Sequence, residues 1–243
     1  MTPYPAILIL AHDPRQRPAL LGDLIARAGL ASLCLAIDGP ARLPSAHMVD
    51  GCHALVLLDA PPASEVHCRD AELALVAALH AAGRPLLGLG TGAHTLTRAL
   101  GGTVRPAPAA VRGWFRLGLH PQAARGAWLA LLGTTLPHAL QDFTDEFAPP
   151  PGALALLAGT PATCQGWAYG HSLALNPLLH ADPGLCAEWL EDWRDTPLRP
   201  AAGCQSSDEL AAGVTKHLPA QRVFATTLFG AWLEQARKPV GGV

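Results

Sequence analysis

Charge is scarce in this chain. Only 15% of its 243 residues are Asp, Glu, Lys or Arg, against about 25% in an ordinary soluble domain. Lysine is nearly absent, occurring only at Lys216 and Lys238, and the net charge is -2. With no basic footprint, neither nucleic acid nor an anionic membrane surface is an expected partner. Long hydrophobic runs are missing too. The segment from Phe147 to Ala181 carries no charged residue, but Pro149, Pro150, Pro151, Pro161, Gln165, Asn176 and Pro177 break it well short of the roughly 20 apolar residues of a spanning helix. The N-terminus lacks a basic region, and Asp13, Arg15 and Arg17 fall where a signal peptide would continue, so a cytoplasmic location is expected. Six cysteines occur without C-x-x-C spacing, which excludes a zinc knuckle and a disulfide scaffold and reads as small buried thiols. Gly and Pro make up about a fifth of the chain, under the roughly 25 to 30% that marks low-complexity disorder.

What is present is a packed α/β pattern. Ala6 to Ala11 is a continuous apolar run, as expected of a strand buried on both faces of a parallel sheet. Arg17 to Ala28 has helical spacing, and further strands are expected at Ala31 to Ile37, Ala54 to Leu58 and Pro85 to Leu89, with a helix over Glu65 to Ala82 before the last of these. The helix at Thr91 to Leu100 ends at Gly101 and Gly102. The stretch from Thr103 to Leu140, punctuated by Pro and Gly, holds strand-like pieces such as Trp114 to Leu119 but no clear order or register, whereas Leu154 to Ala158 and Ser172 to Leu175 read as strands. Ser206 followed by Glu209 is a capping box that should open a helix, and Val223 to Arg237 reads as a terminal helix. Strands alternating with helices predict a mainly parallel, twisted sheet with helices on both faces. One domain over 1–243 is expected, including a C-terminal helical segment at about 206–238.

The segment from Pro85 to Gly102 resembles the nucleophile elbow of class I glutamine amidotransferases, a flavodoxin-like family. There the turn reads Gly-Ile-Cys-x-Gly-x-Gln, and the helix after it ends Arg-Ala-Leu-Gly-Gly. Gly88, Gly92, Arg98, Ala99, Leu100, Gly101 and Gly102 match, but Gly90 stands at the cysteine position. The resemblance continues along the chain. Asp145 to Ala153 is similar to the family's His-Gly-Asp-x-Phe-x-Leu-Pro-x-Gly-Ala stretch, with Phe143 at the histidine and Asp145 retained. Leu173 to Asp182, aligned without a gap to Gly-Leu-Gln-Phe-His-Pro-Glu, puts Leu178 at the catalytic histidine and His180 at the glutamate. Asp59 and Ala60 fall on the two glycines of the loop that contributes to the oxyanion hole.

The resemblance implies the amidotransferase fold without its Cys-His-Glu triad. Glutamine hydrolysis of this type needs a thiolate, a base and donors for the oxyanion. Gly90 supplies no nucleophile, Leu178 accepts no proton, and a carboxylate at Asp59 repels a developing oxyanion. The first functional reading is a non-catalytic pseudoenzyme that binds a protein partner, a second copy of itself, or a small ligand at the elbow through Asp59, Ala60, Gly90, Thr91, Gly92, His94, Phe143 and His180. No cofactor and no metal are expected. The second reading is a hydrolase or transferase with altered chemistry in the remodelled pocket, using Thr91, a histidine, or a metal held by His94, His171 and His180. Cys52, Cys68 and Cys164 read as structural.

Overall fold

A computed structural model describes residues 6–13, 15–37, 43–59, 69–125, 127–133, 135–160, 162–195 and 203–238. The chain runs β1 (Ile7–Ala11), α1 (Ala19–Arg27), β2 (Ser32–Ala36), α2 (Ala46–Gly51), β3 (Ala54–Leu57), α3 (Arg69–Ala81), β4 (Leu86–Leu89) and α4 (Thr91–Ala99). There follow β5 (Thr103–Arg116), β6 (Gly118–Leu119), a 3-10 turn over Pro121–Arg125, α5 (Ala127–Leu132), β7 (His138–Ala148), β8 (Leu154–Ala158), β9 (Gly166–Tyr169) and β10 (Ser172–Leu175). Two long helices close the chain, α6 (Pro183–Asp195) and α7 (Ser207–Ala236).

Eight strands form one sheet in the order β2-β1-β3-β4-β10-β9-β8-β6. The pairings from β2 to β10 are parallel, and those from β10 to β6 are antiparallel. The expected mainly parallel, helix-covered sheet is therefore present, with an antiparallel extension at one side. Strand alternation splits the interior into two cores. Ile7, Ile9, Val56, Leu87, Leu89, Leu173 and Leu175 pack on one face with α1 and the C-terminal half of α7. Leu8, Leu10, Leu55, Leu57 and Leu86 pack on the other with Val76 and Leu79 of α3 and Ala93 and Leu96 of α4. Because both faces are covered, the strands read as unbroken apolar runs and not as alternating ones.

The stretch without a clear order in the sequence contains most of a two-stranded ribbon, β5 paired antiparallel with β7. Its partner is the N-terminal half of α7. Trp114 Nε1 donates to Leu210 O at 3.0 Å, and Leu140 N donates to Gln221 Oε1 at 2.7 Å. Instead of a capped helix and a separate terminal helix there is one helix of 30 residues that passes through Pro219. Pro219 deprives one carbonyl of its helical partner, but it lies exposed, where water can serve that group. Buried Leu218 and Gln221 on either side hold the helix in register. The capping box does form, as the spacing predicts: Ser206 Oγ accepts from Glu209 N, and Glu209 Oε2 accepts from Ser206 N.

The sequence reading contains no helix at Pro183–Asp195. Its opening follows the usual N-cap chemistry, since Asp182 Oδ1 accepts from Leu185 N at 2.7 Å and Pro183 stands in the first turn. Among the described residues no helix is long and apolar enough to cross a membrane.

Candidate functional site

The buried strand β4 ends at Leu89, and the chain turns at Gly90 into α4. Gly90 has φ +55° and ψ -123°, a conformation that L side chains adopt only under strain. Its N–H donates to Leu175 O of β10 at 2.9 Å, and its carbonyl accepts from Ala93 N at 3.0 Å. The first turn of α4 presses directly on β3: a Cβ at Gly92 would collide with the carbonyl of Leu57. The sharp strand-to-helix turn expected from the glycine spacing is thus built by backbone packed on backbone.

What fills the turn is a carboxylate. Asp59, just beyond β3, sends Oδ1 to within 2.7 Å of the Thr91 N–H, which donates to it. A Cβ at Gly90 would lie 2.5 Å from that same Oδ1 and 2.7 Å from Asp59 Cγ. The Asp59 carboxylate therefore stands where a side chain on residue 90 would begin. It also takes up an N–H at the positive end of α4, where an anion is favoured by both the amide and the helix dipole.

Pairing in the sheet decides which residue of the β10 loop is level with the elbow. Leu175 is opposite Leu89, so the next residue, Asn176, stands beside Gly90. This moves the correspondence drawn from sequence by two residues. Matching Pro177 to the proline of His-Pro-Glu puts Asn176 at the histidine and Leu178 at the glutamate, in place of Leu178 and His180. That shared proline was the available signal. Asn176 N donates to Gln165 O, and its Oδ1 accepts from His94 Nε2 at 3.0 Å. Its Nδ2 is buried and has no partner among the described residues. Burial pushes the His94 imidazole down to about 4, against the opposing hydrogen bond to Asn176, so His94 is neutral at physiological pH.

Asp59, Gly90, Thr91, Gly92 and His94 thus come together around the start of α4, with Asn176 added from β10. Others of the expected set lie in different surroundings. Leu178 packs with Trp114, Leu140, Trp189 and Leu218. His180 is fully buried edge-on against Trp189 at 5.6 Å between ring centroids, and neither ring nitrogen has a hydrogen-bond partner among the described residues. Burial holds its pKa down at about 4. Phe143 belongs to a small cluster with Val111 and Ala162. His171 sits in the β9–β10 turn, at the amino end of β10 and so opposite the elbow, beside a cavity of about 340 Å³ lined by Leu131, Leu173, Trp232 and Gln235. Ala60 and Cys68 lie outside the described residues. Burial raises the thiols of Cys52, Cys164 and Cys186, the last two to about 11 and about 12, so all three stay protonated. Among the described residues no three His, Cys, Asp or Glu side chains gather as a metal site would require.

No family model matches the chain, and no curated protein matches it. Solved structures do. A glutamine amidotransferase from Methylobacillus flagellatus superposes with a TM-score of 0.84 at 21% identity, covering 97% of this chain and 96% of that one. The chain has the class I glutamine amidotransferase fold. A second glutamine amidotransferase, from Thermotoga maritima, superposes with a TM-score of 0.77 at 15% identity over 97% of this chain and 99% of its own. On the amidotransferase fold, Gly90 occupies the turn between the elbow strand and its helix, and Asp59 closes that turn from the neighbouring loop.

Proposed function

We propose that this amidotransferase-fold protein is non-catalytic and works as a binding or regulatory partner of another protein. The observation that carries the reading is the Asp59 carboxylate in the elbow. It stands in the space of the missing nucleophile's side chain and occupies the Thr91 N–H, the amide that follows the nucleophile position. In an elbow of this kind that amide serves the oxyanion. A carboxylate already hydrogen-bonded there takes this donor away from an incoming oxyanion and repels one. Among the described residues beside the elbow the imidazole is a weak base: burial holds the His94 pKa at about 4, and its Nε2–H is committed to Asn176. These groups also count against the alternative of an altered Thr91-, histidine- or metal-based hydrolase or transferase. With the Thr91 amide already taken by Asp59, the outer surface of the fold is left to do the binding.

The test is turnover. Purified protein incubated with glutamine is expected to release ammonia at the rate of the buffer blank, and simple amides and esters are expected to remain intact. Hydrolysis of any of them that Thr91→Ala or His94→Gln abolishes would overturn the reading.

A further inference from the structure

β2 is the outermost strand of the sheet, and among the described residues no strand pairs with its outer edge. Its sequence, Ser32-Leu33-Cys34-Leu35-Ala36, has no charge and no proline, and four of its five residues are exposed, with Leu35 half-buried. Leu33 is 37% exposed, one of two large hydrophobic side chains so exposed among the described residues. Edge strands that avoid pairing usually carry Lys, Pro or a bulge. β2 has neither Lys nor Pro, and its five residues pair with β1 in unbroken register.

The hydrogen-bond phase of β2 is set by its inner neighbour. Ile7 N donates to Ala31 O at 3.1 Å, and Ile37 N donates to Ala11 O at 2.8 Å. In a parallel ladder, alternate residues bond to the same side. Residues 31, 33, 35 and 37 therefore face β1, and Ser32, Cys34 and Ala36 turn both N–H and C=O to the open edge. Their spacing is symmetric about Cys34, and so is the flanking Leu33 and Leu35.

We propose that the chain forms a two-fold symmetric dimer in which β2 pairs antiparallel with β2 of a second copy, with the axis at Cys34. Cys34 then meets Cys34 of the other copy, and Ser32 meets its Ala36, in three pairs that each exchange both hydrogen bonds. Leu33 lies opposite Leu35 on one face. A two-fold axis brings each residue near its own copy, so a charge beside it would repel itself, and β2 supplies none. A second copy of this edge thus meets each outward N–H and C=O of Ser32, Cys34 and Ala36, and the two eight-stranded sheets become one. The dimer depends on neither the presence nor the absence of turnover at the elbow, and its test is separate.

The full chain is expected to elute as a dimer by size-exclusion with light scattering at tens of micromolar. Cys34→Pro removes only the outward N–H and leaves the β1 ladder intact, as Pro does on free edges. It should weaken the dimer by about tenfold or more while leaving the circular dichroism unchanged. Cys34→Lys keeps the backbone donor and puts two ammonium groups on the axis, so it should dissociate the dimer most at low salt. In a hydrogen-bonded pair the Cα atoms are about 5.5 Å apart, within the range a disulfide spans. Diamide, itself reduced as it oxidises the two thiols, should therefore give a covalent dimer that Cys34→Ser lacks. A monomeric wild-type chain, or a dimer that Cys34→Lys leaves intact at low salt, overturns the proposal.

Discussion

At Gly90 two independent demands meet on one residue. The positive φ disfavours any side chain, and the Asp59 carboxylate stands 2.5 Å from where a Cβ would be. Gly90→Ala should therefore destabilise the fold by about 2 to 4 kcal/mol, from backbone strain plus displacement of the Asp59 hydrogen bond. Asp59→Gly on the same background should recover part of that loss, giving a coupling measurable by chemical denaturation of the four proteins in the cycle. Gly90→Cys alone should gain no glutaminase activity, because its thiol would be forced against a carboxylate and would lack a base.

The two buried histidines make stability depend on pH. His94 and His180 have folded pKa values of about 4, below their ordinary 6.5. Between those values the unfolded chain binds protons that the folded chain refuses. Stability is then fully present above about pH 6.5 and is lost as the pH falls toward 4, by a few kcal/mol in all. Thermal melts should trace this fall, and His180→Phe should flatten it.

Among the elements, α7 carries changes of opposite sign. Gly213 lies under the Trp114 ring, with which a Cβ there would collide. Gly213→Ala should cost about 1 to 3 kcal/mol by overpacking, despite the better helix propensity of alanine. Six residues on, exposed Pro219→Ala restores a helical hydrogen bond and should raise the melting temperature, by up to about 3 kcal/mol in free energy. The inner strands of the parallel sheet were legible because full burial leaves little polar sequence to confuse a short apolar run, as in Ile7–Ala11. The ribbon was not. Its strands contain Pro106, Pro108 and Gly113, and its pairing shifts register between Pro106 and Val111. Nothing in a period-2 pattern marks such a shift. The unity of α7 is hidden because local signals weigh a proline as a stop, whereas the buried contacts that override it come from Leu140 and Leu178, distant in the sequence.

For the whole molecule, the fold followed from strand and helix alternation together with the glycines of the elbow, and solved structures share it over nearly the full chain. The site was legible only in part. Gly90 and Asp59 could be placed from motifs that lie on or beside single strands. Asn176 was signalled only by the neighbouring Pro177, because its position level with the elbow arises from β10 pairing with β4 across more than 80 residues of sequence. Truncating Trp232, which is buried in the core and donates to Leu86 O at 3.1 Å, should cost about 3 to 5 kcal/mol.

One consequence concerns how the molecule comes apart. The N-terminal half of α7 grips the ribbon through Leu210 and Gln221, and its C-terminal half roofs the sheet through Phe229 and Trp232. A single rigid rod shared between two layers binds their fates, so neither can open without fraying the helix that serves the other. Amide protons of β5 and β7, which a lone two-stranded ribbon would surrender quickly, should exchange with the slow kinetics of β4 and β10. Ala220→Gly, which loosens the exposed middle of the rod by about 1 kcal/mol, should let the ribbon exchange first.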